Sequence, residues 1–126
     1  NTICFFPEGT SSDGLRVLKF RSSFFQLAYN NVFGTCNPVI HIQPLSLFYA
    51  PHSVDKDSDF YGWWGSMSLF THMVKVLCQS SGTVTLKFHH LLSSSDYQNR
   101  KQLASEAEKI IADEVAYNIS TKNFKG

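Results

Sequence analysis

Residues 2–12 read Thr2-Ile3-Cys4-Phe5-Phe6-Pro7-Glu8-Gly9-Thr10-Ser11-Ser12, an apolar run that stops at a proline and continues as a polar segment. A short apolar run of this kind favours a buried strand, and the mixture of Pro, Gly and small hydroxyl residues after it is typical of a loop. Gly9 allows a ligand to approach the backbone closely, and successive N–H groups beside it can form an anion-binding concavity. The stretch therefore predicts a strand that ends in an anion-binding loop.

Basic residues follow this loop closely in the sequence. Lys19 and Arg21 come soon after it, and their charge suits the binding of a phosphate group. The alternative interpretation is an ordinary Pro-Gly turn that leaves Glu8 in solvent. The residues alone leave these two interpretations equally open.

Two later segments have strand character. Val39–Tyr49 is rich in apolar residues but contains Pro44. A proline removes a hydrogen bond from a strand ladder, so it predicts a bulge or a strand end there. Thr83–His89 alternates between apolar and polar residues, as a half-buried strand does.

Helical segments separate these strands. Phe20–Tyr29 is a mixed apolar stretch, and Met67–Leu77 carries apolar residues at helical spacing. Ser95 and Gln98 have the spacing of a capping box. It would open a last helix whose predicted apolar face carries Leu103, Ala107, Ile110, Ile111 and Val115. The alternation predicts an α/β fold with a mostly parallel sheet and flanking helices, and we expect residues 1–126 to belong to one domain.

The composition excludes several classes of function. The chain is 43% hydrophobic and 17% charged, with a formal net charge of +1, which is typical of a globular domain. The absence of a Lys/Arg cluster argues against nucleic-acid binding. The cysteines and histidines lack zinc-site spacing, so we expect no metal. The aromatic run Phe60–Trp64 has two interpretations: it covers the sheet, or it lines an acyl-chain groove or enters a membrane interface.

Three parts of the chain resemble the lysophosphatidic acid acyltransferase family. Residues 6–12 resemble its third conserved block, Phe-Pro-Glu-Gly-Thr-x-Ser, although Ser11 stands where many members have Arg. Residues 18–23 are similar to the Phe-Lys segment that follows this block, with Arg21 on the Lys position. Residues 42–45 resemble the fourth block, a strand that ends in a proline.

The resemblance implies a glycerolipid acyltransferase-like enzyme that works at the cytoplasmic face of a membrane and needs no cofactor. It would transfer an acyl group from acyl-CoA or acyl-carrier protein to the hydroxyl of lysophosphatidic acid. The residues implied in binding the acceptor's phosphate are Glu8, Gly9, Thr10, Ser11, Ser12 and Arg21, while those with a structural part are Phe6, Pro7 and Pro44. Two alternatives stay open. One is another lysolipid acceptor such as lyso-ornithine lipid, since Ser11 would suit less phosphate charge, and the other is a non-catalytic lipid- or anion-binding module.

The resemblance also implies where the catalytic base belongs. The family uses a His-x4-Asp block upstream of the Pro-Glu-Gly-Thr block, with the histidine as general base. We therefore expect this sequence to be the C-terminal part of an acyltransferase domain, with no catalytic residue of its own. His52 and Asp57 share that spacing, but they follow the loop instead of preceding it, and an acidic solvated loop is the favoured interpretation.

Overall fold

A computed structural model describes residues 2–29, 39–51, 60–78 and 81–123. Two long-range features organise this part of the chain: an antiparallel β-ribbon, and a long C-terminal helix that packs beside it. Its elements, in chain order, are a 3-10 helix at Ser22–Ala28, β1 at His41–Ile42, β2 at Leu45–Pro51, α1 at Leu69–Leu77, β3 at Gly82–Phe88, β4 at Leu92–Ser93, a 3-10 turn at Ser94–Asp96 and α2 at Arg100–Asn123. None of the helices described here has both the length and the apolar composition that a membrane crossing requires.

The four strands form two antiparallel ladders. β2 pairs with β3, with Leu45 opposite Phe88, and β1 pairs with β4, with Ile42 opposite Leu92. The described pairings include no parallel one, so the mostly parallel sheet stays a prediction. The expected first strand is wrong: residues 2–6 form irregular backbone outside both ladders, and Phe6 is 74% exposed.

The break predicted at Pro44 is confirmed. Gln43 and Pro44 separate β1 from β2, whereas the three residues 89–91 separate β3 from β4. The unequal spacing is that of a β-bulge, in which one strand carries an extra residue. The buried Pro44 keeps one contact across this bulge, because its carbonyl accepts a hydrogen bond from the His89 N–H at 3.1 Å.

The core lies where α2 meets the 3-10 helix and the segment before it. Its buried members are Phe20, Phe25, Leu92, Leu103, Ala104 and Ala107. The predicted apolar face of α2 is confirmed, since Ile110 and Ile111 also pack against this cluster. At about 25 cal/mol per Å² of buried apolar surface, such contacts are the main stabilising term of the fold.

The predicted capping box at Ser95 is wrong. Ser95 belongs to the 3-10 turn, and α2 begins at Arg100. The cap is Asn99, whose Oδ1 accepts hydrogen bonds from the N–H groups of Lys101 at 3.0 Å and Gln102 at 3.1 Å. The reason is long-range, because the neighbouring Ser94 exchanges hydrogen bonds with Ile40 and so binds this segment to the start of β1.

Apolar side chains remain exposed on two elements. α1 forms close to where its spacing predicts, yet Phe70 and Leu77 are 70% and 73% exposed. On β3, Phe88 is 63% exposed. The aromatic run before α1 divides: Phe60 is buried and the Tyr61 ring lies 5.8 Å from the Tyr49 ring of β2, while Trp63 and Trp64 are exposed.

Candidate functional site

The loop after the apolar run is a tight turn. The Gly9 N–H donates to the Phe6 carbonyl at 3.2 Å, which closes a four-residue turn with Pro7 in its second position. Proline favours that position because its ring fixes φ near the value that the turn requires. Gly9 has φ of +68°, in the left-handed region that favours glycine. Pro7 and Gly9 therefore both define the turn.

Arg21 lies directly on Gly9. Its N–H donates to the Pro7 carbonyl at 2.8 Å, which brings residue 21 beside the turn. Its side chain then covers the face of Gly9 that carries no side chain. A Cβ at position 9 would lie 3.0 Å from the Arg21 Nε and 3.1 Å from its Cδ. The structure thus brings together Gly9 and Arg21, two of the residues predicted to bind the acceptor.

Glu8 is held within the loop instead of pointing into solvent. It is half-buried, and the Leu18 N–H donates a hydrogen bond to its carboxylate. Burial raises the pKa of the Glu8 carboxyl above its ordinary value, and the Leu18 hydrogen bond opposes part of that rise. The carboxylate therefore ties the turn to the segment that carries Arg21, and the interpretation of a solvated Glu8 is wrong.

The loop forms one wall of a cleft of about 560 Å³. The opposite walls come from β2, from the aromatic segment before α1 and from the C-terminal part of α2. The lining residues are Phe6, Glu8, Gly9, Thr10, Ser11, Ser12, Asp13, Gly14, Leu15, Leu47, Phe48, Tyr49, Tyr61, Gly62, Trp63, Val115, Asn118 and Ile119. Half of these have apolar or aromatic side chains, and the polar side chains are concentrated on the loop side. Such a cleft suits an amphiphile whose polar end meets the loop.

Some of the predicted site residues line the cleft, and the others do not. All five loop residues from Glu8 to Ser12 line the cleft, and so does Phe6. Pro7, Arg21 and Pro44, in contrast, lie outside the lining. The Arg21 side chain lies against Gly9, which does line the cleft, and Pro44 directly precedes β2.

Sequence reasoning missed Asp13, a second carboxylate in the cleft lining. Its Oδ1 accepts a hydrogen bond from the Leu15 N–H at 3.0 Å, while the Ser12 hydroxyl accepts one from the Gly14 N–H at 3.3 Å. These contacts shape the loop and leave the second oxygen of Asp13 available. The sequence did contain a signal for this turn. An Asp followed by Gly favours an Asx turn, in which the Asp side chain accepts a hydrogen bond from the N–H two residues on.

Ser46 of β2 and the partly buried His89, which follows β3, form a hydrogen-bonded pair. The Ser46 Oγ lies 2.8 Å from the His89 Nε2, and Ser46 has no solvent exposure. Burial lowers the pKa of His89, although the nearby Glu114 opposes this shift. Because Ser46 is inaccessible, we interpret the pair as a structural contact across the ribbon.

The remaining candidates for a metal or catalytic role are histidines, cysteines and carboxylates. His52 and Asp57 lie outside the described residues. Across residues 2–29, 39–51, 60–78 and 81–123, no three or more His, Cys, Asp or Glu side chains come together to hold a metal ion. The described lining of the cleft contains no histidine either.

Comparison with known proteins finds relatives that are named as acyltransferases. The chain is 40% identical over 111 residues to a lyso-ornithine lipid O-acyltransferase of Rhodobacter capsulatus, an alignment that covers 86% of this chain and 38% of that protein. Two further relatives of this chain carry the same name. A protein of the same name from Rhizobium meliloti is 30% identical over 81% of this chain and 36% of its own length. One from Brucella abortus is 28% identical over 82% and 40%.

The comparisons also set the scope of this similarity. The chain spans about two fifths of the length of the curated relatives that it matches. No family model and no solved structure matches it. The predicted resemblance is confirmed at the level of an acyltransferase, while lysophosphatidic acid acyltransferase as the specific family stays a prediction.

Proposed function

We propose that the protein containing this chain transfers an acyl group from a thioester donor to the hydroxyl of a lyso-ornithine lipid. In this proposal the loop of residues 6–14 and Arg21 bind the polar headgroup of the acceptor. The names of the relatives support the acceptor class. The apolar walls of the cleft, at Leu47 and Ile119 for example, support an amphiphilic ligand.

The observation that carries the choice of acceptor is the mixed charge at the loop. Glu8 and Asp13 line the cleft. The positive charge comes from Arg21, whose side chain lies on Gly9, the residue after Glu8. An ornithine headgroup carries a carboxylate and an ammonium group, so it offers a partner to each sign of charge. In this assignment the headgroup carboxylate meets Arg21 and the loop N–H groups, and the ammonium meets Asp13.

The same charges disfavour a phosphate. A phosphate monoester in this cleft meets two carboxylates, and an unfavourable pair of like charges is a usual means of rejecting a wrong ligand. Of the two carboxylates, Glu8 is the one that the Leu18 N–H engages within the loop. Asp13 is therefore the residue on which discrimination depends.

Lysophosphatidic acid is the second candidate. The exposed hydroxyls of Thr10 and Ser11 line the cleft beside Gly9, and hydroxyls, loop N–H groups and an arginine together favour a phosphate. The predicted contacts of Glu8, Gly9, Thr10, Ser11, Ser12 and Arg21 with an acceptor phosphate belong to this candidate and stay a prediction.

The reaction is the same for either acceptor. The acceptor oxygen attacks the thioester carbonyl, the C–S bond breaks, and the hydroxyl proton passes through a base to the leaving thiol. The described cleft offers no histidine for this role, so we assign the base to the part of the relatives' length that this chain does not span. The cytoplasmic face of a membrane and an acyl-CoA or acyl-carrier-protein donor belong to the same proposal.

The test uses the purified full-length protein with acyl-CoA and either lysolipid. We expect turnover of lyso-ornithine lipid, and we expect Asp13→Asn to raise its KM by about tenfold, the loss of one charge-assisted contact. The same variant should improve the use of lysophosphatidic acid relative to lyso-ornithine lipid. Arg16→Ala, which removes an exposed charge of the same region, is the control and should change neither KM.

Two results would reject lyso-ornithine lipid as the acceptor. One is a higher kcat/KM of the unaltered protein for lysophosphatidic acid. The other is an Asp13→Asn variant that treats both lysolipids as the unaltered protein does. Absence of acyl transfer to either lipid would reject the enzyme itself and leave a lipid- or anion-binding module.

A further inference from the structure

The segment that carries Arg21 is held by hydrogen bonds and not by regular structure. Residues 18–21 belong to neither helix nor strand. Leu18 donates its N–H to the Glu8 carboxylate, and Arg21 donates its N–H to the Pro7 carbonyl. The Glu8 carboxylate and the Pro7 carbonyl both belong to the loop that Arg21 covers. These two hydrogen bonds therefore join the loop to residues 18–21, but they do not attach either one to the rest of the fold.

A further hydrogen bond of this segment comes from α2. The Phe20 N–H donates to the Glu108 Oε2 at 2.8 Å, although the two residues are 88 positions apart in the chain. The carboxylate stands on a helix whose Leu103 and Ala107 are buried in the core. The Phe20 ring belongs to the same core cluster. Phe20 is therefore attached to α2 by its side chain and by its backbone at once.

We propose that Glu108 is a positioning residue for the acceptor site: by holding the Phe20 N–H it fixes the backbone from which Arg21 reaches Gly9. This inference rests on the proposed function, since it assigns Glu108 a part in binding the acceptor's headgroup. Glu108 is not among the residues that line the cleft, so its effect reaches the acceptor through the backbone of residues 20 and 21.

A carboxylate is suited to this role. Hydrogen bonds to an ionised acceptor are shorter and stronger than those between neutral groups. Phe20 is buried, so removal of Glu108 leaves its N–H without a partner where water has little access, and such a group is costly to leave unpaired. The segment should then relax away from α2 and carry Arg21 with it.

The test compares four forms of the full-length protein: unaltered, Glu108→Ala, Glu108→Gln and Glu114→Ala. Glutamine keeps an oxygen that can accept the Phe20 hydrogen bond. Glu114 is the matched control, because it is a carboxylate on the same helix that contacts a different element, through an ion pair with Lys87 at 2.5 Å. The readouts are hydrogen exchange at the Phe20 amide and the separate KM values for acceptor lipid and acyl donor.

We expect Glu108→Ala to accelerate exchange at the Phe20 amide and to raise the acceptor KM about tenfold while the donor KM stays constant. Glu108→Gln should restore both properties in large part, and Glu114→Ala should change neither. A merely structural role for Glu108 would lower the melting temperature without this split between acceptor and donor. If Glu108→Ala does not fold, the inference is still tested by Glu108→Asp, which keeps the charge but shortens the reach.

Two results would overturn the inference, and Arg21→Ala separates them from a failure of the proposed function. Unchanged exchange at Phe20 in Glu108→Ala would show that the contact does not fix the segment. Faster exchange with an unchanged acceptor KM would show that the segment's position is irrelevant to the acceptor. If Arg21→Ala also leaves the acceptor KM unchanged in that case, the loop is not the headgroup site and the proposed function of residues 6–21 fails with it.

Discussion

Substitution of Gly9 by alanine should separate backbone strain from the displacement of Arg21. Gly9 has φ of +68°, and a residue with a Cβ loses roughly 1–2 kcal/mol in this left-handed conformation. The new Cβ would also lie 3.0 Å from the Arg21 Nε, closer than unbonded heavy atoms normally approach. Because the Arg21 side chain is exposed and flexible, it should move aside, and this second effect should appear in binding more than in stability.

Gly65 provides the matched control. Its φ of +64° is nearly the same, but a Cβ there would meet nothing within 4 Å, and Gly65 does not line the cleft. Both alanine variants should therefore lose about 1–2 kcal/mol of unfolding free energy, measured by urea denaturation. Only Gly9→Ala should also raise the acceptor KM, by about tenfold or more if it removes the charge-assisted contact of Arg21.

A double-mutant cycle tests the mechanism directly. If alanine at position 9 acts by displacing Arg21, then adding Gly9→Ala to an Arg21→Ala protein should leave the acceptor KM almost unchanged. Fully additive effects of the two changes on the acceptor KM would refute the reasoning, because independent sites add and coupled ones do not. An equal rise of KM in Gly65→Ala would refute it as well.

Three further predictions concern titration and helix capping. The pKa of the Glu8 carboxyl is raised in the folded state from an ordinary value of about 4.5, so the contribution of Glu8 to stability is complete below that value and is lost as the pH rises through the folded pKa. Glu8→Gln should therefore gain stability relative to the unaltered chain between pH 4 and pH 7, which denaturation curves can measure. The pKa of His89 is lowered in the folded state from an ordinary value of about 6.5, so the contribution of His89 to stability is present above that value and is lost as the pH falls through the folded pKa. His89→Gln should therefore flatten the pH dependence of the melting temperature in that range. Asn99→Ala should cost about 1 kcal/mol of unfolding free energy and Ser95→Ala close to none, which calorimetry can measure.

Local sequence signals predicted the parts of the fold that local chemistry determines. The bulge at Pro44 follows from the missing N–H of proline, and the buried face of α2 follows from helical spacing of apolar residues. The loop after Phe6 was also expected, because Pro, Gly and small hydroxyl residues follow one another there. These features depend on the residue itself or on neighbours within a few positions.

Features that depend on distant partners were missed or misplaced. Ser95 has the pattern of a cap, yet the hydrogen bonds between Ser94 and Ile40 hold this segment in another conformation and leave Asn99 to cap the helix. The contact between Glu108 and Phe20 had no local signal, since any of the acidic residues on the polar face of α2 could have faced that amide. Strand direction likewise depends on which segments meet, and residue alternation alone does not report it.

Helix α2 connects stability, cleft shape and loop position in one element. Leu103 and Ala107 near its start are buried in the core, Glu108 in its middle holds Phe20, and Ile119 toward its end lines the cleft. A rigid helix keeps these three points at fixed distances, because each residue adds 1.5 Å along its axis. The apolar wall and the charged loop therefore keep a constant separation, and a lipid that binds both must match that separation with its own headgroup and chain. In the proposed function the loop selects the headgroup by charge, while α2 sets how far from that headgroup the apolar wall of the cleft begins.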